Sequence, residues 1–267
     1  MNRVLALLEK ELADLRRNLG VFVPALIAGA LSISVPFVVA IAVPYFTGER
    51  LSDSSDFDFA LEILRAQPGT RALEPEAALQ AWIFAQFLVL IVLSPVAASM
   101  SSAAYSVVGE KQARTLEPLL ATPITTFELL AAKVLGSLLP ALALTVVCFV
   151  VYLTGVALLA MPGVSPTLVS PRPLAVVFLL GPLASLTALQ LAVCVSSRSN
   201  DARSAQQIGA LVIVPIAGLL VAQFVGSLML TMPVILAIAA VLAVIDAGLM
   251  LLGIALFDRE SILTRWH

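Results

Sequence analysis

Six long apolar stretches constrain this chain of 267 residues more than any other feature of its sequence. A helix needs about 20 predominantly apolar residues to cross the roughly 30 Å hydrocarbon core of a bilayer. The stretches that reach this length are approximately 21–46, 82–108, 132–160, 173–197, 206–230 and 233–257. None alternates in polarity as a barrel strand does, and backbone groups in lipid must be paired within their own segment or by barrel closure. The sequence therefore predicts an all-α polytopic membrane protein with six transmembrane helices.

Composition supports this class and excludes several others. Hydrophobic residues make up 60% of the chain and charged residues 12%, against about 45–50% and about 25% in soluble domains. A net charge of −2 gives no reason to expect a nucleic-acid partner. The single histidine is His267, and the two cysteines, Cys148 and Cys194, lie in apolar runs. We therefore expect neither a metal site nor a disulfide framework.

The first 20 residues have a different pattern from the spans. Charged side chains fill most of the positions between apolar residues that recur at helical spacing, namely Val4, Leu5, Leu7, Leu8, Leu12, Leu15 and Leu19. This periodicity predicts an amphipathic helix over residues 1–20, lying in the membrane interface before the chain turns into the first span. Residues 21–267 are then a single six-helix transmembrane domain.

The distribution of Lys and Arg predicts the orientation. With six spans both termini share one side, and that side carries eleven of these residues: Arg3, Lys10, Arg16, Arg17, Lys111, Arg114, Lys133, Arg198, Arg203, Arg259 and Arg265. The other side carries four: Arg50, Arg65, Arg71 and Arg172. By the positive-inside rule both termini are cytoplasmic and the acidic loop 47–81 is external.

The segment that joins the second and third spans is the most informative part of the chain. Its cytoplasmic loop, 109–131, is followed by Lys133, and Leu116, Leu119 and Leu120 form a short apolar face within it. Thr122-Pro123 ends that helix, because the residue before proline avoids the α region. Thr125 or Thr126 is placed to cap the next helix, with Glu128 in its first turn. The residues alone leave two interpretations open, an interfacial connector and a docking element for a cytoplasmic protein.

The run GEKQARTLEPLLATPITTFELLAAK resembles the cytoplasmic loop of ABC-2 type transporter permeases. The residues that match the pattern are Glu110, Lys111, Thr115, Leu116, Glu117, Leu119, Leu120, Thr122, Pro123 and Lys133. Two flanking segments, Lys10–Asn18 and Phe257–Leu263, are similar to the entry and exit segments of the same family. Arg114 departs from the pattern, since the family often has glycine there.

The resemblance implies the membrane subunit of an ABC exporter in the cytoplasmic (inner) membrane. Such a permease works as a dimer with two cytoplasmic ATPase subunits. The matching residues of the loop would form a coupling helix that binds in a groove of the ATPase. Glu110 and Glu117 would pair with basic residues of that groove. ATP and Mg²⁺ would be bound by that partner and no cofactor by this chain. The sequence agrees, because it contains no Gly-Lys pair and hence no phosphate-binding loop of the G-x-x-x-x-G-K-[ST] type.

Two other classes are weaker alternatives. An ion-gradient-driven secondary transporter needs ionisable groups at mid-membrane, and Asp246 in the sixth span is the one candidate. We take Asp246, Gln86, Gln190 and Gln223 as possible substrate contacts or interhelical polar contacts. An intramembrane enzyme is disfavoured, because no span contains a histidine or two acids. The serine cluster of the second span, Ser99, Ser101, Ser102 and Ser106, is expected to serve close helix packing.

Overall fold

The computed structural model describes residues 2–17, 19–54, 57, 60–61, 64, 73–112, 125–198, 202–224 and 230–256. Within these ranges the chain is helical apart from short turns and has no strand, which confirms the predicted class. The N-terminal helix α1 covers Asn2–Arg17. Six described helices are long and apolar enough to cross a membrane: α2 (Val23–Thr47), α3 (Pro75–Glu110), α4 (Thr126–Leu159), α5 (Pro171–Ser197), α6 (Arg203–Phe224) and α7 (Met232–Leu256).

The helix α1 confirms the predicted amphipathic segment. Leu7 and Glu11 are buried on one side, while Glu9, Lys10 and Asp14 are exposed. A turn of 3-10 helix over Leu19–Phe22 connects it to α2. We call the end of the bundle that carries α1 the α1 end, and the opposite end, where α2 and α4 finish, the far end.

The helices α3 and α5 form the centre of the bundle. In their most apolar stretches 78% and 67% of residues are buried, whereas in α2, α4, α6 and α7 the share is 17–28%. Close packing brings α6 against this centre, since a Cβ on Gly209 would lie 3.2 Å from the Ala188 carbonyl oxygen and 3.3 Å from Met100 Cβ. The four outer helices therefore expose most of their apolar surface around a buried pair.

The second span is longer than predicted. It was expected over 82–108, but α3 has 36 residues and begins at Pro75, so its first turns lie within the segment assigned to loop 47–81. At 1.5 Å per residue such a helix is about 54 Å long and extends beyond the hydrocarbon core. Hydropathy marks only the lipid-buried part of a helix, which explains the difference. The helix is interrupted at Val92, because Pro95 has no N–H to bond the carbonyl one turn earlier.

The start of α4 confirms the predicted cap. Thr125 has extended backbone angles, and its hydroxyl accepts a hydrogen bond from the Glu128 backbone N–H at 3.2 Å. The Glu128 carboxylate accepts one in return from the Thr125 backbone N–H at 2.9 Å. This capping box satisfies two backbone donors that a helix start leaves unpaired and fixes where α4 begins.

Aromatic side chains pack the far end. Phe37 of α2, Phe84 of α3 and Tyr152 of α4 form a triangle of edge-to-face rings with centroids 5.0–5.9 Å apart. Tyr152 is fully buried, and its hydroxyl donates to the Phe84 carbonyl oxygen at 2.7 Å. A second group places Phe224 of α6 against Trp82 and Phe87 of α3 at 5.4 and 5.1 Å.

Candidate functional site at the α1 end

Three helices meet at the α1 end: α1, the end of α3 and the start of α4. At Gly136 the helix α4 lies so close to α1 that an added Cβ would be 2.7 Å from Glu11 Cβ. Real Cβ atoms do not approach so closely, and the obstacle is the base of a side chain rather than its flexible tip. Only glycine lets α1 lie this near to α4. Gly136 lies about one helical turn after Lys133, so the same contact brings Glu11 beside Lys133 of α4.

Lys133 lies at the centre of a buried network of charged and polar groups. Its ammonium nitrogen is 3.1 Å from Glu11 Oε1, 2.7 Å from Glu110 Oε2 and 2.9 Å from Ser106 Oγ. Ser106 Oγ in turn donates to Glu11 Oε2 at 2.7 Å. Lys133, Glu11 and Glu110 are 2%, 6% and 8% exposed. One lysine therefore holds α1 and α3 to the start of α4 through groups that water does not reach.

Lys10 adds a second cation at the edge of this network. It forms an ion pair with Glu110, and its nitrogen lies 3.9 Å from Glu11 Oε1. Burial lowers the pKa of Lys10, but the hydrogen bond and charge of Glu110 outweigh burial and raise the pKa above its ordinary value. For Glu11, burial works to raise the pKa, but the charge of Lys133 and the bond from Ser106 together hold the pKa below its ordinary value. Two lysines and two glutamates thus balance in charge, as buried ions require.

The predicted coupling residues fall into two groups. Glu110 is described, and its carboxylate contacts the chain's own Lys10 and Lys133, whereas we expected it to pair with basic residues of a partner. Lys111 lies in the last described turn of the helix that continues α3. The remaining predicted residues lie outside the described ranges: Thr115, Leu116, Glu117, Leu119, Leu120, Thr122 and Pro123. Their role as a coupling face stays a prediction.

The serines of α3 contact several neighbours. Ser99 Oγ donates to the Ser185 carbonyl oxygen of α5 at 3.0 Å, and Ser102 Oγ to Ser137 Oγ of α4 at 3.0 Å. These two agree with the packing role that we expected. Ser106 differs, because it bonds the charged groups of the network. Ser101 is buried, and its hydroxyl has no hydrogen-bond partner within the described part of the chain.

The four polar candidates within the spans lie on four different helices. Asp246 of α7 is 5% exposed, and its Oδ1 accepts a hydrogen bond from Thr187 of α5 at 2.7 Å. Gln223 donates to the Leu219 carbonyl oxygen of its own helix at 3.3 Å. Gln190 is buried, and Gln86 is half-buried. Among the described residues no hydrogen bond joins any two of these four side chains. The interhelical interpretation of Asp246 is therefore supported by an observed partner, Thr187, whereas no observed bond supports a polar site shared by the four.

Sequence reasoning missed three members of the network: Lys10, Glu11 and Ser106. A signal for Glu11 was present, because it follows Leu7 by four residues and Leu8 by three and so lies on the apolar side of α1. A charge on the buried side of an amphipathic helix needs a partner of opposite charge. The partner, Lys133, is 122 residues away along the chain, which local patterns do not reveal. No group of three or more potential metal ligands occurs among the described residues.

The fold and this network define a helical integral membrane protein whose N-terminal helix is fastened to both ends of one inter-span segment. A family model described as ABC-2 family transporter protein matches residues 5–260, and this chain therefore belongs to the ABC-2 transporter family. It is a membrane permease of an ABC transporter. No curated protein and no solved structure matches the chain.

Proposed function

We propose that this chain is the permease subunit of an ATP-driven exporter, that it forms the translocation route as a dimer, and that it is coupled to two separate cytoplasmic ATPase subunits. The observation that carries the proposal is the buried network around Lys133. Glu110 precedes segment 113–124 and Lys133 follows it, and both are fastened to Glu11 of α1 or to each other. The helices that lead into and out of segment 113–124 are therefore joined by a buried ion pair.

A buried connection between these two helices suits the transfer of motion. A force applied to segment 113–124 would pass directly into α3 and α4, because both of its ends continue into those helices. Since α3 is the most buried span and packs along α5, a displacement of α3 would also move the centre of the bundle. A contact site of this kind has to be tied closely to membrane helices, and segment 113–124 meets that requirement.

The orientation supports the same assignment. The sequence assigns eleven of the fifteen Lys and Arg residues to the side that carries α1, so the positive-inside rule predicts a cytoplasmic position for segment 113–124. A cytoplasmic ATPase would reach it there. ATP and Mg²⁺ would be bound by that subunit, since this chain has no Gly-Lys pair for a phosphate-binding loop.

A dimer fits the distribution of exposed apolar surface. The helices α2, α6 and α7 bury few of their residues within one copy, which leaves broad faces for lipid or for a second copy. Small residues let membrane helices approach closely, and the sequence of the fifth span offers Gly209, Gly218 and Gly226 for such an interface. Gly209 is occupied inside the chain by Ala188 and Met100, Gly218 has open space beside it, and Gly226 lies outside the described residues. Gly218 is therefore the glycine to probe for contact between copies, in a homodimer or with a similar permease.

The test is co-expression with the ATPase subunit, followed by co-purification and ATP hydrolysis in reconstituted vesicles. We expect Leu116→Ala with Leu120→Ala to weaken ATPase binding, because buried apolar anchors each cost about 2 kcal/mol or more when truncated. Leu158→Ala with Leu159→Ala is the matched control, since these leucines are 77% and 63% exposed at the far end. Equal ATPase binding and hydrolysis by both double variants would reject segment 113–124 as the coupling contact.

A gradient-driven carrier using Asp246 is the second candidate, because Asp246 is a buried acid in the sixth span. Its bond from Thr187 favours a packing role, and Asn at this position can still accept that bond. We expect Asp246→Asn to retain transport in vesicles that contain the ATPase and ATP. Transport that proceeds without the ATPase and stops in Asp246→Asn would favour the carrier instead.

A further inference from the structure

We propose that Lys133 and Glu11 are positioning residues for energy coupling: they hold α1 in register with the two ends of segment 113–124, so that α1, α3 and α4 move together when the ATPase acts. This inference rests on the proposed function and adds to it the residues through which the motion passes. Neither residue is proposed to contact the ATPase or the cargo. They fix the position of α1 relative to α3 and α4, and this effect is separable from the stability that the same contacts provide.

Buried charges are a costly way to hold three helices together. Each buried ion loses its hydration, and replacement of a buried ion pair by apolar residues of similar volume is often neutral or stabilising. Buried apolar side chains lie about one turn away on the same helices, Leu7 before Glu11 and both Leu129 and Leu130 before Lys133. Apolar packing would therefore suffice for cohesion alone. Ion pairs add a requirement on relative position, because the Lys133 ammonium has to lie within about 3 Å of Glu11, Glu110 and Ser106 at once to contact all three.

The network offers alternative partners to its charged groups when the helices shift. Lys10 pairs with Glu110 and lies 3.9 Å from Glu11, while Lys133 contacts both glutamates. Each glutamate is thus within reach of two lysines. A displacement of α1 along α4 can exchange partners without leaving a buried carboxylate unpaired. The network therefore provides discrete arrangements, which is the property that a coupling element needs.

A short length of helix joins each end of segment 113–124 to the network. The Thr125–Glu128 capping box fixes the start of α4, and Lys133 follows Thr125 by eight residues. At 1.5 Å per residue the intervening helix is about 12 Å long. Two capped turns of helix carry a displacement without bending, so motion of the segment arrives at Lys133. On the other side Glu110 lies only three residues before the segment begins.

The experiment uses the permease co-purified with its ATPase subunit and reconstituted in vesicles, with spin labels on cysteines replacing Tyr45 and Leu158. Both positions are at the far end and are 80% and 77% exposed. The distance between the labels, measured with and without ATP plus vanadate, reports whether motion reaches the far end, and no cargo is needed. We expect an ATP-dependent change of this distance in the parent. A parent that binds no ATPase would reject the proposed function, whereas the variants below test the positioning role.

In Lys133→Met we expect the ATPase to stay bound and to hydrolyse ATP, while the ATP-dependent change of the label distance falls by at least about fivefold. Lys133→Arg keeps a cation opposite Glu11 and Glu110 and should retain part of the response. Arg172→Met is the matched control, because Arg172 is an exposed cation at the far end, and it should behave as the parent.

A variant without buried charge protects the test against simple misfolding. Glu11→Gln with Glu110→Gln and Lys133→Met leaves Lys10, which is exposed, as the one remaining charge of the network, and we expect the variant to unfold at the parental temperature or above. It should bind and hydrolyse like the parent yet show the same reduced response of the label distance. A parental response from this variant, or from Lys133→Met, would overturn the proposal. Loss of the response together with loss of ATPase binding would overturn it as well, since the residues would then serve docking.

Discussion

The two ends of the bundle are held together by different physics. At the α1 end Lys133 contacts Glu11, Glu110 and Ser106 over 2.7–3.1 Å, and at the far end Phe37, Phe84 and Tyr152 pack ring to edge. Ring packing depends on buried area and tolerates small displacements. Ion pairs depend on direction and are costly when one partner is missing. Ion pairs thus fix the relative position of the helices at the end where we place the ATPase, and aromatic rings fill the space between helices at the far end.

The largest effect that separates the two ends is expected from Lys133→Met. Removal of this cation leaves Glu11 and Glu110 buried with only Lys10 to balance them, and such a change typically costs about 3–5 kcal/mol. Thermal unfolding of the purified permease in detergent measures it. A loss of unfolding temperature no greater than that of Arg172→Met would mean that the network contributes little to stability.

A smaller effect is expected at the glycine that lets α1 approach α4. Gly136→Ala places a Cβ against Glu11 and should cost about 1–3 kcal/mol by overpacking. Gly109→Ala is the matched control, since it is also a helical glycine at the α1 end but has nothing within 4 Å of its added Cβ. The comparison is made by unfolding temperature and by protease sensitivity of α1. Equal results for the two substitutions would show that α1 does not depend on this close contact.

At the far end, Tyr152→Phe isolates one hydrogen bond from the ring packing. The substitution keeps the ring contacts and removes the bond to the Phe84 carbonyl oxygen, so a loss of about 1 kcal/mol is expected. Circular dichroism during heating measures the change. A loss as large as that of Lys133→Met would contradict the view that area, rather than directed pairing, holds this end.

The smallest effect is expected from pH near neutrality. The pKa of Glu11 is held below its ordinary value of 4.5, so its contribution to stability is present above that value and is lost as pH falls through the lower pKa of the folded state. The pKa of Lys10 is raised above 10.5, so its contribution is present below that value and is lost at higher pH.

The unfolding temperature should therefore be insensitive to these two groups between about pH 6 and pH 9. The acid-side decline should be smaller in Glu11→Gln, which has no carboxylate to protonate at this position. Scans of unfolding temperature from acid to neutral pH compare the parent with this variant. An unchanged acid decline in Glu11→Gln would place the acid-sensitive group elsewhere.

Much of the fold follows from local patterns. The six spans were predictable because lipid demands apolar length, and the Thr125–Glu128 cap because its two members are three residues apart. The extra turns of α3 from Pro75 were not, since hydropathy does not mark the parts of a helix that leave the lipid. Gly209 was assigned to an interface between copies, yet it packs against Ala188 and Met100, and sequence gives no means of telling these partners apart.

Only some residues of the candidate site could be predicted from the sequence. Glu110 and Lys133 stood out through the resemblance to permease loops, but their mutual contact and the participation of Glu11 depend on how α1 folds back against α4. That contact joins residues more than a hundred positions apart. Long-range pairing of this kind is decided by packing, here by the space that Gly136 leaves, and periodicity carries no information about it.

The measurement that tests the central claim most directly is thiol labelling of the two ends with and without the ATPase. Cysteines replacing Gln112, beside segment 113–124, and Ser54, near the far end, are labelled with an impermeant reagent. The native Cys148 and Cys194 are buried and add little background. We predict that the Ser54 cysteine reacts from outside intact cells, and that the Gln112 cysteine reacts only in opened membranes and is shielded when the ATPase is bound. Labelling of Gln112 from outside, or equal labelling with and without the ATPase, would contradict the account.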